Sequence, residues 1–81
     1  MKTKIREILK TTGKLPGDIA ALADDADLYN AGLTSFGTVE LMMALEEAFD
    51  VEFPDTMMNR RNFASIGAIA SAIQTIQSEN V

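Results

Sequence analysis

The chain has 81 residues, of which 47% are hydrophobic, and a formal net charge of −5. This length accommodates one small domain, residues 1–81, and the hydrophobic content favours a compact core over a disordered chain. Cysteine and histidine are both absent. Disulfides and thiolate metal sites are therefore excluded, and a serine in this chain lacks the usual partner of a hydrolytic nucleophile.

The charges are unevenly distributed along the sequence. Ten acidic residues and no basic residue lie between Lys14 and Arg60. Such a region repels nucleic acid and anionic membranes and attracts proteins with basic surfaces, although an ordinary solvated surface explains it as well. No apolar run approaches the roughly 20 residues needed to span a bilayer. We therefore expect a cytoplasmic monomer whose partners are proteins, with no nucleic-acid or membrane partner.

The first predicted element is a short amphipathic helix from Lys4 to about Thr12, ended by Gly13. A turn at residues 15–17 opens a long connection whose apolar residues must fold back over the core. These residues are Ile19, Leu22 and Leu28. The aspartates of the connection lack the glycine and glutamate of a calcium loop, so we interpret them as turn and partner-steering residues. They are Asp24, Asp25 and Asp27.

The next segment predicts a turn followed by a helix. Asn30 and Gly32 are turn residues, and helical spacing of apolar residues begins at Ser35. Ser35 is therefore expected at or beside the N-cap, where a serine oxygen accepts a bond from an unpaired backbone N–H. The same position suits an anion attached to the hydroxyl, because free N–H groups and the helix dipole are positive there. Spacing alone favours a simple cap.

The helix after Ser35 has two distinct faces. Its core stripe comprises Thr38, Leu41, Leu45 and Phe49, flanked by Met42 and Ala48. The opposite side mixes apolar and acidic residues, which indicates a docking surface for a partner protein. The predicted docking residues on this helix are Phe36, Val39, Glu40, Met43 and Glu47. The alternative is that Phe36 and Met43 pack under neighbouring loops.

Residues 50–55 are expected to stop this helix, because Pro54 disfavours helical geometry at Phe53. Val51 and Phe53 are predicted to point inward. A short helix from Thr56 to about Arg60 follows, capped by Asp55 or Thr56.

Two pairs of residues in or next to that short helix each have two possible roles. Met57 and Met58 are either core filler or the lining of a pocket for an attached group. Arg60 and Arg61 either contact an acidic patch of a partner or hold Glu52 and Asp55.

The last predicted helix begins after a cap at Ser65, carries a wide apolar stripe, and frays over residues 79–81. Together these elements predict an all-α fold: a small antiparallel bundle of three main helices plus one short helix, with a long first loop.

The order of these motifs resembles the acyl carrier protein family over nearly the whole chain. The segments that carry the resemblance are Asp27-Leu28, Gly32-Leu33-Thr34-Ser35-Phe36, Val39-Glu40-Leu41, Leu45-Glu46-Glu47-Ala48-Phe49 and Phe53-Pro54. The usual motif has Asp and Leu around the serine, where this chain has Thr34 and Phe36. The form Leu33-Thr34-Ser35-Phe36 is more similar to the small standalone aminoacyl carrier proteins, as are Phe53-Pro54-Asp55 and residues 59–66.

The resemblance implies a carrier protein, not an enzyme, with a covalent 4′-phosphopantetheine arm on Ser35. The arm would hold glycine or alanine as a thioester. The implied partners are a phosphopantetheinyl transferase and an amino acid:carrier protein ligase, similar to a truncated seryl-tRNA synthetase, with a basic docking surface. Three alternatives stay open: a fatty-acid or polyketide-type acyl carrier, an unmodified helical interaction module, and an enzyme that uses carboxylates alone.

Overall fold

A computed structural model describes residues 1–13 and 19–79 of the chain. These residues form three α-helices and no strand: α1 (Lys2–Ile8), α2 (Ser35–Phe49) and α3 (Ile66–Glu79). A π-helical turn follows α1 at Leu9–Gly13, and 3₁₀ turns occupy Ile19–Ala21, Asp55–Met57 and Arg60–Phe63. The predicted all-α fold is confirmed. The predicted turn at residues 15–17 and the end of the tail, residues 80–81, lie outside the described residues.

The first helical segment begins at Lys2, two residues before the predicted Lys4, and extends to Gly13 as predicted, but its last turn, Leu9–Gly13, is π-helical and therefore wider than an α-helix. The Thr11 and Thr12 hydroxyls both donate to the Ile8 carbonyl, at 3.0 and 2.7 Å. Threonine side chains that bond to carbonyls of the preceding turn compete with the backbone ladder. The π-helical turn at Leu9–Gly13 lies where this competition occurs.

Helix α2 ends earlier than Pro54 would require. Asp50 adopts a left-handed conformation, with φ 52° and ψ 51°, and its N–H donates to the Glu46 carbonyl. The predicted stop within residues 50–55 is therefore confirmed, but its cause is the C-cap at Asp50 and not Pro54. A Glu46 carboxylate oxygen then accepts a bond from the Phe53 N–H at 2.9 Å. Val51 and Phe53 are buried, as predicted.

The single short helix predicted after Pro54 is also wrong in detail, because the chain forms two separate 3₁₀ turns. The first begins after Pro54 with no side-chain cap, so neither Asp55 nor Thr56 has the predicted capping role. The second is capped by Asn59, whose side-chain oxygen accepts the Asn62 N–H at 3.1 Å. Asn59 therefore begins the second 3₁₀ turn, which precedes α3.

The core of the described residues is entirely apolar. Its aromatic contact joins Phe53 and Phe63, with ring centroids 5.2 Å apart and planes inclined at 48°. The connection folds over this core as predicted, with Ile19 and Leu28 buried and Leu22 packed against it. No helix in residues 1–13 and 19–79 is long and apolar enough to cross a membrane.

Asp24 links the long connection to helices α1 and α3 through hydrogen bonds. Its carboxylate accepts bonds from Lys2 Nζ at 3.0 Å and from an Arg6 guanidinium nitrogen at 2.7 Å. Its backbone carbonyl accepts the Gly67 N–H at 2.8 Å. A side chain at position 67 would crowd this carbonyl, since a Cβ there would lie 3.3 Å from it. Asp24 therefore acts within the molecule, which corrects its predicted role in steering partners.

Asp24→Asn is expected to lower the free energy of unfolding at neutral pH and to make no difference in acid. The side-chain hydrogen bonds from Lys2 and Arg6 hold the pKa of Asp24 below its ordinary value of 3.8. A carboxylate with a depressed folded pKa stabilises the fold above its unfolded pKa, and this contribution is lost as the pH falls through the folded value. Urea unfolding of both proteins from pH 7 down to pH 2 measures it. A constant difference over that range would contradict this account.

Candidate functional site

A tight turn at residues 27–32 precedes helix α2. The Asp27 carboxylate accepts the N–H groups of Tyr29 and Asn30, at 3.0 and 3.3 Å, which confirms a turn role for this aspartate. Gly32 has φ 123°, a conformation that residues with a Cβ rarely adopt, so the predicted glycine turn is confirmed. Leu33 is buried directly after it. The side chain of Leu33 anchors the end of the turn in the core, and the next two residues, Thr34 and Ser35, are exposed.

Thr34, not Ser35, caps helix α2. The Thr34 hydroxyl oxygen accepts the Gly37 N–H at 2.9 Å, and Thr34 has the extended backbone of an N-cap residue. Ser35 is the first residue of the helix itself. The interpretation of Ser35 as a simple cap is therefore wrong, while its placement beside the cap is confirmed.

The Ser35 hydroxyl is left without a structural role. The residue is exposed, and its oxygen makes no hydrogen bond to any part of the chain that the structure describes. The backbone N–H groups of Ser35 and Phe36 precede the first helical bond and have no acceptor among the described residues. The first turn of α2 carries no acidic residue to neutralise the helix dipole. An anion attached to Ser35 Oγ would meet a positive environment.

An exposed apolar ridge runs from Ser35 along α2. It consists of Phe36, Val39 and Met43, which are 73%, 52% and 61% exposed. Their spacing of three and four residues places them on one side of the helix. Glu47 is exposed further along the helix, and Glu40 is half-buried. The alternative that Phe36 and Met43 pack under loops is wrong.

A surface groove of about 330 Å³ lies beside Ser35, between α2 and the turns before α3, and Val39 of the ridge also lines it. Its lining is mostly apolar, and Arg60 is the one charged residue among the described lining residues. The lining comprises Tyr29, Ser35, Thr38, Val39, Met42, Met58, Asn59, Arg60 and Phe63. The two methionines of the short turns divide between the predicted roles, since Met57 packs against the core and Met58 lines the groove.

Arg60 is positioned at this groove by an aromatic ring. Its guanidinium carbon lies 4.1 Å from the centroid of the Tyr29 ring, a cation–π contact. The Tyr29 hydroxyl in turn lies 3.3 Å from Thr38 Oγ1 of helix α2. Neither Arg60 nor Arg61 forms an ion pair with Glu52 or Asp55 in the described structure, so that alternative is wrong. Arg61 is exposed beside Arg60.

Sequence reasoning missed the contributions of Tyr29, Thr38 and Asn59 to this site. Tyr29 is the only tyrosine in the chain and lies six residues before Ser35. Its rarity was the one available signal, because a tyrosine combines a large apolar ring with a hydroxyl that can form a hydrogen bond. Nothing in the linear pattern brings residues 59 and 60 to the start of α2.

Comparison with known proteins assigns the family. The family model described as "Phosphopantetheine attachment site" matches residues 3–73. An aminoacyl carrier protein of Agrobacterium fabrum is 54% identical over 76 residues, which cover 94% of this chain and 92% of that protein.

Two solved structures are similar throughout. One is a carrier protein from Agrobacterium tumefaciens in complex with an engineered Bradyrhizobium japonicum glycine:[carrier protein] ligase and AMP. It has a TM-score of 0.89 and 54% identity, over 91% of this chain and 99% of that one. The other is a holo acyl carrier protein from Nitrosomonas europaea, with a TM-score of 0.83, 26% identity and 95% coverage of both chains.

The chain belongs to the phosphopantetheine-attachment family of carrier proteins. Members of this family bind 4′-phosphopantetheine covalently, and the activating chemistry belongs to partner enzymes. The residues present fit that group, because Ser35 offers an exposed hydroxyl beside unpaired N–H groups at the start of α2, and the groove that Ser35 lines also contains Arg60.

Proposed function

We propose that Ser35 carries the phosphopantetheine arm and that the arm presents an aminoacyl group, glycine or alanine, to partner enzymes. The observation that carries the first part is the Ser35 hydroxyl, which is exposed, unbonded and dispensable as a cap because Thr34 caps the helix. The other serines in the described chain differ. Ser65 Oγ accepts the Ala68 N–H at 3.0 Å as the cap of α3, as predicted, and is half-buried.

A phosphopantetheinyl transferase would install the arm. The Ser35 oxygen forms a new bond to the phosphorus of coenzyme A that bears the pantetheine, and the pyrophosphate bond breaks. Adenosine 3′,5′-bisphosphate leaves, and the serine proton passes to a base of the transferase. The chain has no histidine of its own, which is consistent with this division of labour. When bound, the arm supplies the thiol that holds the carried group as a thioester.

The cargo is inferred from the relatives. The 54% identical relative is an aminoacyl carrier protein, and the similar Agrobacterium tumefaciens chain was crystallised with a glycine:[carrier protein] ligase. The holo acyl carrier protein shares the fold at 26% identity. A fatty-acid or polyketide-type acyl carrier is the second candidate on that ground.

The partner surface we propose is the apolar ridge together with its acidic neighbours. Phe36, Val39 and Met43 offer apolar contact, and Glu40 and Glu47 select a ligase with a basic rim. The exposed Arg61 adds one positive charge from the turn beyond the groove. A ridge of three side chains is small for a permanent interface, which suits a monomer that exchanges partners.

Loading the holo protein with an amino acid tests the proposed cargo. The chain is first treated with coenzyme A and a broad-specificity transferase, and then with ATP, glycine or alanine and a glycine:[carrier protein] ligase. Intact mass is expected to rise by one arm and then by one aminoacyl group, which hydroxylamine releases because it cleaves thioesters. The apo protein is the control. Loading by a fatty-acid ligase alone would establish the acyl-carrier alternative instead.

A further inference from the structure

We propose that the groove between Ser35 and Arg60 is a resting site for the first half of the arm, with Arg60 binding its phosphate. This inference rests on the proposed attachment at Ser35. The groove is suited to the arm in position, because Ser35 itself lines it and a group bonded to Ser35 Oγ starts at its edge. The arm is thus a covalently tethered occupant at high effective concentration.

The charge in the groove matches the phosphate. Arg60 is the only charged residue in the described lining, and the lining contains no carboxylate. A guanidinium binds phosphate oxygens through directed, charge-assisted hydrogen bonds. The Tyr29 ring, 4.1 Å away, restrains the Arg60 guanidinium before the phosphate arrives, so less side-chain freedom is lost when it binds.

The apolar part of the groove matches the group next to the phosphate. Beyond its phosphate, phosphopantetheine has a methylene group and a carbon that bears two methyl groups; a hydroxyl-bearing carbon, the amides and the thiol follow. Val39, Met42 and Met58 provide apolar side chains beside Ser35, and methionine adapts readily to the shape of its partner. The lining provides no place for the far end of a loaded arm. An aminoacyl group carries an ammonium, and the only charge in the groove is also positive.

The groove would therefore hold the root of the arm and leave the aminoacyl end free. A tether that is anchored over its first part explores a smaller volume, which keeps the cargo on the side of the molecule where the apolar ridge lies. This assigns to Arg60 a role toward the arm, in place of the partner-docking role predicted for Arg60 and Arg61 together.

Methyl NMR of methionine tests the proposal, because the chain contains its own controls. Met42 and Met58 line the groove, whereas Met43 and Met57 are absent from its lining. On conversion from apo to holo protein, we expect the signals of Met42 and Met58 to shift and that of Met43 to stay. We also expect nuclear Overhauser contacts between the geminal methyl groups of the arm and the Met58 methyl.

The variant Arg60→Gln is expected to reduce the Met58 shift roughly twofold or more, because it removes the charge-assisted contact. Arg61→Gln is the matched control and should leave the shift unchanged, since Arg61 does not line the groove. Circular dichroism confirms that both variants fold. If mass spectrometry shows the arm and the Met42 and Met58 signals do not move, or if both arginine variants act alike, the resting site is wrong. If no arm is added to the wild type, the proposed function itself fails.

Discussion

Ser35→Ala is expected to abolish addition of the phosphopantetheine arm while leaving the protein folded. The hydroxyl oxygen is the only atom of this residue that can bond to phosphorus, and no other described serine combines exposure with the start of a helix. The measurement is intact mass after incubation with coenzyme A and a broad-specificity transferase. The free energy of unfolding should change by less than about 0.5 kcal/mol, because an exposed side chain without bonds contributes little.

Thr34→Ala is the matched control one residue away. It removes the cap of α2, whose oxygen accepts the Gly37 N–H, and should cost about 1 kcal/mol of stability. It leaves the Ser35 hydroxyl in place, so the arm should still be added. The two substitutions therefore separate anchoring from capping. Arm addition to Ser35→Ala, or a large loss of stability in that variant, would show that the two roles have been assigned to the wrong residues.

Phe53→Ala is expected to cause the largest loss of stability, about 3 to 5 kcal/mol of the free energy of unfolding. Phe53 is 1% exposed and packs against Phe63, so truncation leaves a cavity and removes an aromatic contact. Small domains have total stabilities of roughly 5 to 15 kcal/mol, and this chain should lie toward the lower end. Urea unfolding followed by circular dichroism should show a sharply lowered midpoint.

Phe36→Ala makes the same chemical change at a position that is 73% exposed. We expect it to alter stability by less than about 0.5 kcal/mol, because almost no buried surface is lost. Its effect should appear in function, as a higher KM of the amino acid:carrier protein ligase for the holo carrier. Equal effects of Phe36→Ala and Phe53→Ala on unfolding would contradict the exposed position of Phe36. Unchanged loading would remove Phe36 from the docking surface.

Features of this chain that depend on residues close together in sequence could be predicted, whereas those that depend on distant residues could not. Local patterns were sufficient for most of the two faces of α2, where Leu41 and Leu45 are buried and Phe36 and Met43 exposed. Ala48, which was predicted beside the core stripe, is exposed instead. Local patterns were also sufficient for the inward direction of Val51 and Phe53. A helix places residues three or four positions apart on the same side, and an extended segment places alternate residues on the same side. Spacing in the sequence therefore indicates which side chains are buried together.

Which of Thr34 and Ser35 caps α2 could not be predicted from the neighbouring residues alone. Both residue types cap helices well, and the decision depends on the backbone direction imposed by the buried Leu33. The end of α2 was placed correctly after Phe49, but its cause was not predicted. Pro54 is a strong local signal, but α2 ends before it, at Asp50. Asp50 has a left-handed conformation, which is uncommon for a residue other than glycine.

By itself, the sequence determined the helical class, the apolar faces, the absence of cysteine and histidine, and the serine at the start of α2. These properties depend on composition and on residues a few positions apart. Only the tertiary structure decided that Ser35 shares a groove with Tyr29 and Arg60, and that Asp24 pairs with Lys2 and Arg6. Arg60 lies far from Ser35 along the chain, as Asp24 does from Lys2 and Arg6. Their meeting depends on how the long connection and the 3₁₀ turns fold back over one core, which no periodicity in the sequence records.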